Sequence, residues 1–190
     1  MSLSQEQIEE HAREALKNAG LEASFKVSLA ALSKSLGLKV KSVLNFPEGV
    51  LAKIVICPNA ADLSAGCEEQ TILTNAKNSK QEQRFAVAYA VAFYILNNNI
   101  HTRREGLLMS RGAGSSMDEA SRLAVALLLG KDLFQSGFKK ALMGVPNKAA
   151  MCKVLGSQFA VPDYIIESRA RDLEIEFPAG GEIHVGAEPE

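Results

Sequence analysis

Gln83-Arg84-Phe85-Ala86-Val87-Ala88-Tyr89-Ala90-Val91-Ala92-Phe93-Tyr94-Ile95-Leu96 contains no charge after Arg84, no glycine and no proline. At helical spacing its apolar side chains point in every direction, and a helix of that kind is covered all round in a fold. It is too short to cross a bilayer, which takes roughly 20 apolar residues. The stretch therefore predicts a buried central helix over 80–97, and the rest of the chain is read by what it contributes to the cover.

Upstream, Thr71-Ile72-Leu73-Thr74 reads as a strand, joined to the helix by a polar connection from Asn75 to Ser79. Leu38 and Val40 alternate with Lys39 and Lys41, the pattern of a half-buried strand. Pro47-Glu48-Gly49 marks a turn, Val50 to Ile56 a second and more apolar strand, and 59–69 a loop of small and polar residues. Three neighbouring strands with short turns are most simply an antiparallel meander. Before them, Ser4 to Ala19 is an amphipathic helix with Ile8, Ala12, Ala15 and Ala19 on one face. In it Glu9 and Arg13 stand as an i,i+4 pair, and Gly20 is its stop. A short helix follows, capped by Ser28, with Leu29, Leu32 and Leu36 inward and Gly37 closing it.

Downstream, Asn97-Asn98-Asn99 frays the central helix, and His101 to Ser116 reads as a long loop. Ser116-Met117-Asp118-Glu119 has the form of a capping box, Ser116 at the N-cap and Glu119 at N3. The helix it opens, over 117–129, carries Ala120, Leu123, Ala124, Leu127 and Leu128 and stops at Gly130. Phe134, Phe138 and Leu142 precede a break at Gly144-Val145-Pro146. Lys148 to Leu155, a turn over Gly156 to Val161, and Pro162 to Leu173 form a helix-turn-helix-like pair. Glu174 to Glu190 is expected to hold a short strand at most and a mobile end. The predicted organisation is an α+β main domain over 1–143, the helical pair over 144–173 and a tail over 174–190.

Composition narrows the function classes. With 190 residues, 47% hydrophobic and 23% charged, the chain has the make-up of a globular domain. A net charge of −1 supplies no general attraction to nucleic acid or to anionic membrane. Met1-Ser2-Leu3-Ser4-Gln5-Glu6 lacks the basic and apolar regions of a signal peptide, so a cytoplasmic location is expected. Cys57, Cys67 and Cys152 lack metal-type spacing and are expected to be reduced. His11, His101 and His184 each stand alone.

The frame Arg84-Phe85-x-x-Ala88-[five residues]-Tyr94-x-Leu96 resembles the active-site helix of the ImmA/IrrE family of zinc metallopeptidases. Other segments are similar in the same order. Val27 to Val40 resembles the family's early helix and its lead into the sheet, and Ile72-Leu73-Thr74-Asn75 the strand before the active-site helix. Asp118 to Leu129 resembles its Glu-Ala-Asn-x-Phe-Ala-Ala-x-Leu-Leu-Met-Pro segment, and Phe159-Ala160-Val161-Pro162 through Arg169 to Leu173 its tail. The likeness spans about residues 25–173. It implies a zincin-like fold: a small antiparallel three-stranded sheet packed on the buried helix, with a helical C-terminal part.

In that family the five residues read His-Glu-x-Gly-His; here they read Tyr89-Ala90-Val91-Ala92-Phe93. Two histidines four apart share one helix face and bind zinc, and the glutamate activates the attacking water. Tyr89 and Phe93 stand at the ligand positions and Ala90 at the position of the base. Phe93 ligates nothing, Ala90 moves no proton, and Tyr89 would need an ionised phenol, whose reference pKa is about 10. The family implies a third, acidic ligand at Asp118 or Glu119; the sequence does not choose between them, and the capping box gives Glu119 a structural role of its own. A catalytic zinc takes three protein ligands, so neither metal nor cofactor is expected.

The resulting expectation is an inactive metallopeptidase-like protein that binds a protein or peptide. The family implies regulation of a repressor, phage or other mobile element in bacteria, with a helix-turn-helix repressor as the partner. Two alternatives stand beside it. One is a DNA-binding regulator working through the C-terminal helix pair, whose charges from Lys148 to Leu173 balance to only a small positive excess. The other is an active zinc peptidase with unusual ligands. Arg84 is expected to pair with a carboxylate near the sheet, Tyr89 to be a core tyrosine with its hydroxyl satisfied, and His101 to be a solvent-exposed loop residue. Gly112-Ala113-Gly114-Ser115-Ser116 is a poor phosphate cradle, because Asp118 and Glu119 follow it in the first helical turn.

Overall fold

A computed structural model describes residues 3–22, 26–46, 50, 52–55, 70–97, 118–145 and 147–178. Among them are seven helices and three strands, in the order α1 (Gln5–Asn18), α2 (Leu29–Ser35), β1 (Lys39–Val43), β2 (Ala52–Val55), β3 (Thr71–Asn75), α3 (Lys80–Leu96), α4 (Glu119–Leu128), α5 (Lys131–Leu142), α6 (Lys148–Phe159) and α7 (Asp163–Asp172). The mixed α+β class agrees with expectation. The turn at 47–49, the loop at 59–69, Cys57, Cys67, His101, the glycine-rich stretch at 112–116 and His184 lie outside the described residues.

The antiparallel meander is corrected. The sheet order is β1-β3-β2. β1 runs parallel to β3 with Val40 opposite Ile72, and β2 runs antiparallel to β3 with Ile54 opposite Ile72. A meander would have put β2 in the middle, but β2 is buried on one face only, Ala52 and Ile54 inward against Lys53 and Val55. β3 buries Thr71, Ile72, Thr74 and Asn75 and so suits the centre, where both faces are covered. β1 takes an edge, where Lys39 and Lys41 oppose pairing with other chains. Its expected half-buried alternation is also corrected: Leu38, just before the strand, is buried, whereas Val40 is 39% exposed.

α3 begins at a capping box formed by Ser79 and Glu82. Ser79 Oγ accepts from the Glu82 backbone N–H at 3.1 Å, and Glu82 Oε2 accepts from the Ser79 N–H at 3.1 Å. Gln83 then fastens the helix to the sheet. Its amide nitrogen donates to the Asn78 carbonyl at 2.7 Å, and its Oε1 accepts from Ser42 Oγ on β1 at 3.2 Å. From Phe85 to Ala92 the helix is buried without a break, as its composition requires; Phe93 to Leu96 are half-buried. It packs against α4, α2, β2 and β3. Arg84 does not meet a carboxylate among the described residues. It donates to the Val27 carbonyl at 2.8 Å, and its buried Nε has no partner among the described residues. Burial without an anion lowers its pKa from the ordinary arginine value.

The C-terminal helices share the same apolar cluster as the sheet and α3, through Phe134, Met151, Leu155, Phe159, Ile165 and Ile166. The turn expected over Gly156 to Val161 is shorter than predicted, because α6 continues to Phe159 and ends on Ala160 in the left-handed region at φ 55°. Gly156 is a helical residue required by close approach rather than by the turn. A Cβ there would lie 2.7 Å from Asp163 Oδ1 and 2.9 Å from the Val161 carbonyl oxygen. Gly156→Ala is therefore expected to destabilise the protein by about 1–3 kcal/mol in urea unfolding. The tail is also corrected in part. Ile175 and Phe177 pack against the core, Phe177 with its ring 5.2 Å from that of Phe138.

Candidate functional site

The residues singled out for chemistry meet where α3 passes the start of α4. Tyr89 is buried on α3, and its hydroxyl donates to Asp118 Oδ2 at 2.5 Å. Asp118 holds this position because it is the N-cap of α4: its Oδ1 accepts the Ser121 backbone N–H at 2.7 Å. The capping box expected at Ser116 and Glu119 is thereby corrected. Ser116 lies outside the described residues, and Glu119 is the first helical residue rather than the third. Aspartate is as good an N-cap as serine, and its second oxygen remains available for Tyr89.

The two acidic residues point in different directions. Asp118 faces Tyr89, while Glu119 turns away and accepts the Leu3 backbone N–H at 2.6 Å. Ala90 is buried and offers no proton-transferring group. Phe93 is half-buried one turn beyond Tyr89, on the same side of the helix. Burial first, then the hydrogen bond to Asp118 and its charge, raise the Tyr89 pKa well above the ordinary tyrosine value near 10. In this contact the phenol is the donor and the Asp118 carboxylate the acceptor. Phe93 has no ligating atom, so Tyr89, Phe93 and Asp118 do not supply the three protein ligands that a catalytic zinc takes. Among the described residues no three His, Cys, Asp or Glu side chains are grouped to hold a metal ion.

A second polar centre was missed in the sequence. Arg169 on α7 is fully buried. Its Nη1 and Nη2 lie 2.5 and 3.0 Å from the two carboxylate oxygens of Glu9, and its Nε donates to the Leu129 carbonyl at 2.8 Å. The expected pairing of Glu9 with Arg13 is corrected: Glu9 serves Arg169, and Arg13 pairs with Glu10. Burial would raise the Glu9 carboxyl, but the Arg169 bonds and charge outweigh it and hold Glu9 below the usual carboxylate range. A signal was present, since Arg169 lies four residues after Ile165 and three after Ile166, on the buried face of α7.

A cleft of about 180 Å³ adjoins Glu9, lined by Arg13, Leu16, Lys131, Asp132 and Leu133 among others. It is remote in character from the Tyr89 centre and smaller than the roughly 300–1,000 Å³ of sites that bury small molecules. Its rim mixes both charge signs, so it selects neither anion nor cation. Cys152 is a free, buried thiol. Burial, followed by the charge of Glu167, pushes it up to about 11, and it stays protonated and unreactive at neutral pH. No helix of the described residues is long and apolar enough to cross a membrane. No protein-family model matches the chain, and comparison with curated proteins likewise finds no match.

Proposed function

We propose that this protein is a catalytically inactive relative of the ImmA/IrrE zinc metallopeptidases that acts by binding a protein or peptide. The observation that carries the reading is the Tyr89–Asp118 hydrogen bond. Tyr89 stands at the position of the first zinc histidine and Asp118 at one of the two candidates for the acidic ligand. Their contact is the arrangement expected if residues once bridged by a metal now bridge directly. A protonated phenol in place of imidazole, alanine in place of the glutamate base and phenylalanine in place of the second histidine remove water activation and leave packing. Replacing a polar site by satisfied or apolar groups is often neutral or stabilising, which gives such a change a physical motive.

Purified protein is expected to contain no stoichiometric zinc by atomic emission, and chelator should leave its melting temperature unchanged. Bound zinc at one per chain, or peptidase activity abolished by chelator, overturns the reading. Affinity capture from the native host, followed by mass spectrometry, is the measurement that identifies the partner; the family resemblance points to a helix-turn-helix repressor. The DNA-binding alternative draws less support, because Asp163 and Glu167 share α7 with Arg169 and Arg171, and Arg169 is spent on Glu9. DNA binding that weakens steeply with salt in a mobility-shift titration would restore it.

A further inference from the structure

We draw no further inference here: the strongest candidate, the cleft of about 180 Å³ between α1 and the start of α5, carries nothing, because Glu9 on its wall is committed to Arg169 and the uncapped N-terminus of α5 at its edge has no second feature beside it that points to a ligand.

Discussion

Glu9→Ala is expected to lower the free energy of unfolding by about 3–5 kcal/mol, read from urea melts at neutral pH. Among the described residues, the mutation leaves the fully buried Arg169 guanidinium with the Leu129 carbonyl as its hydrogen-bond partner. The loss is a large part of the roughly 5–15 kcal/mol that stabilises an ordinary domain. Replacing both partners, Glu9→Leu with Arg169→Met, should recover most of it, because no uncompensated charge remains. The pH dependence follows from the signs. Glu9 is depressed in the fold, so its contribution is complete above its ordinary value of 4.5 and is lost as the pH falls through the lower folded value. Asp172 runs the other way: burial raises it against the opposing charges of Arg169, Arg122 and Arg171, and its buried Oδ2 has no partner among the described residues. Its contribution is full below its ordinary 3.8 and is lost as the pH rises through the raised folded value. Asp172→Asn should therefore stabilise the protein near pH 7, by an amount that shrinks toward about pH 4.

How much of this could be read beforehand depends on whether the information was local. The central helix was legible because Phe85 to Ala92 admits no exposed face, and the cap of α2 at Ser28 follows from a single residue beside apolar periodicity. The sheet order was not legible. It depends on β3 being buried on both faces, and four residues of mixed polarity such as Thr71 to Thr74 do not announce that. The start of α4 illustrates competition between equally good local signals: Ser116 with Glu119 and Asp118 with Ser121 both offer capping oxygens, and the contact with Tyr89 favours the second. For the site, the absence of histidines and of the glutamate base on α3 was visible at once. Which acid faces Tyr89, that Glu119 holds Leu3 and that Glu9 crosses to Arg169 were not, because each joins residues distant in the chain.

Phe134→Ala should cost about 3–5 kcal/mol, the range for truncating a fully buried aromatic ring. Phe134 has no exposed surface, and its ring lies 5.9 Å from that of Phe138 and 6.1 Å from that of Phe159, so it joins α5 to α6. The informative readout is the form of the transition as well as its midpoint. The same apolar cluster contains Phe134, Ile165 on α7 and Leu123, Leu127 and Val91 on α4 and α3. Loss of the ring should therefore lower the stability of the whole cluster, with one transition by far-ultraviolet circular dichroism and by tyrosine fluorescence. Tyr89 and Tyr94 on α3 and Tyr164 on α7 report from both parts, and Tyr164 also sets its ring edge-on to Phe85 on α3, with centroids 6.2 Å apart. Two separated transitions would mean that α5 to α7 open independently, as a mobile DNA-binding helix pair would. A single transition means that α5 to α7 unfold together with the buried helix.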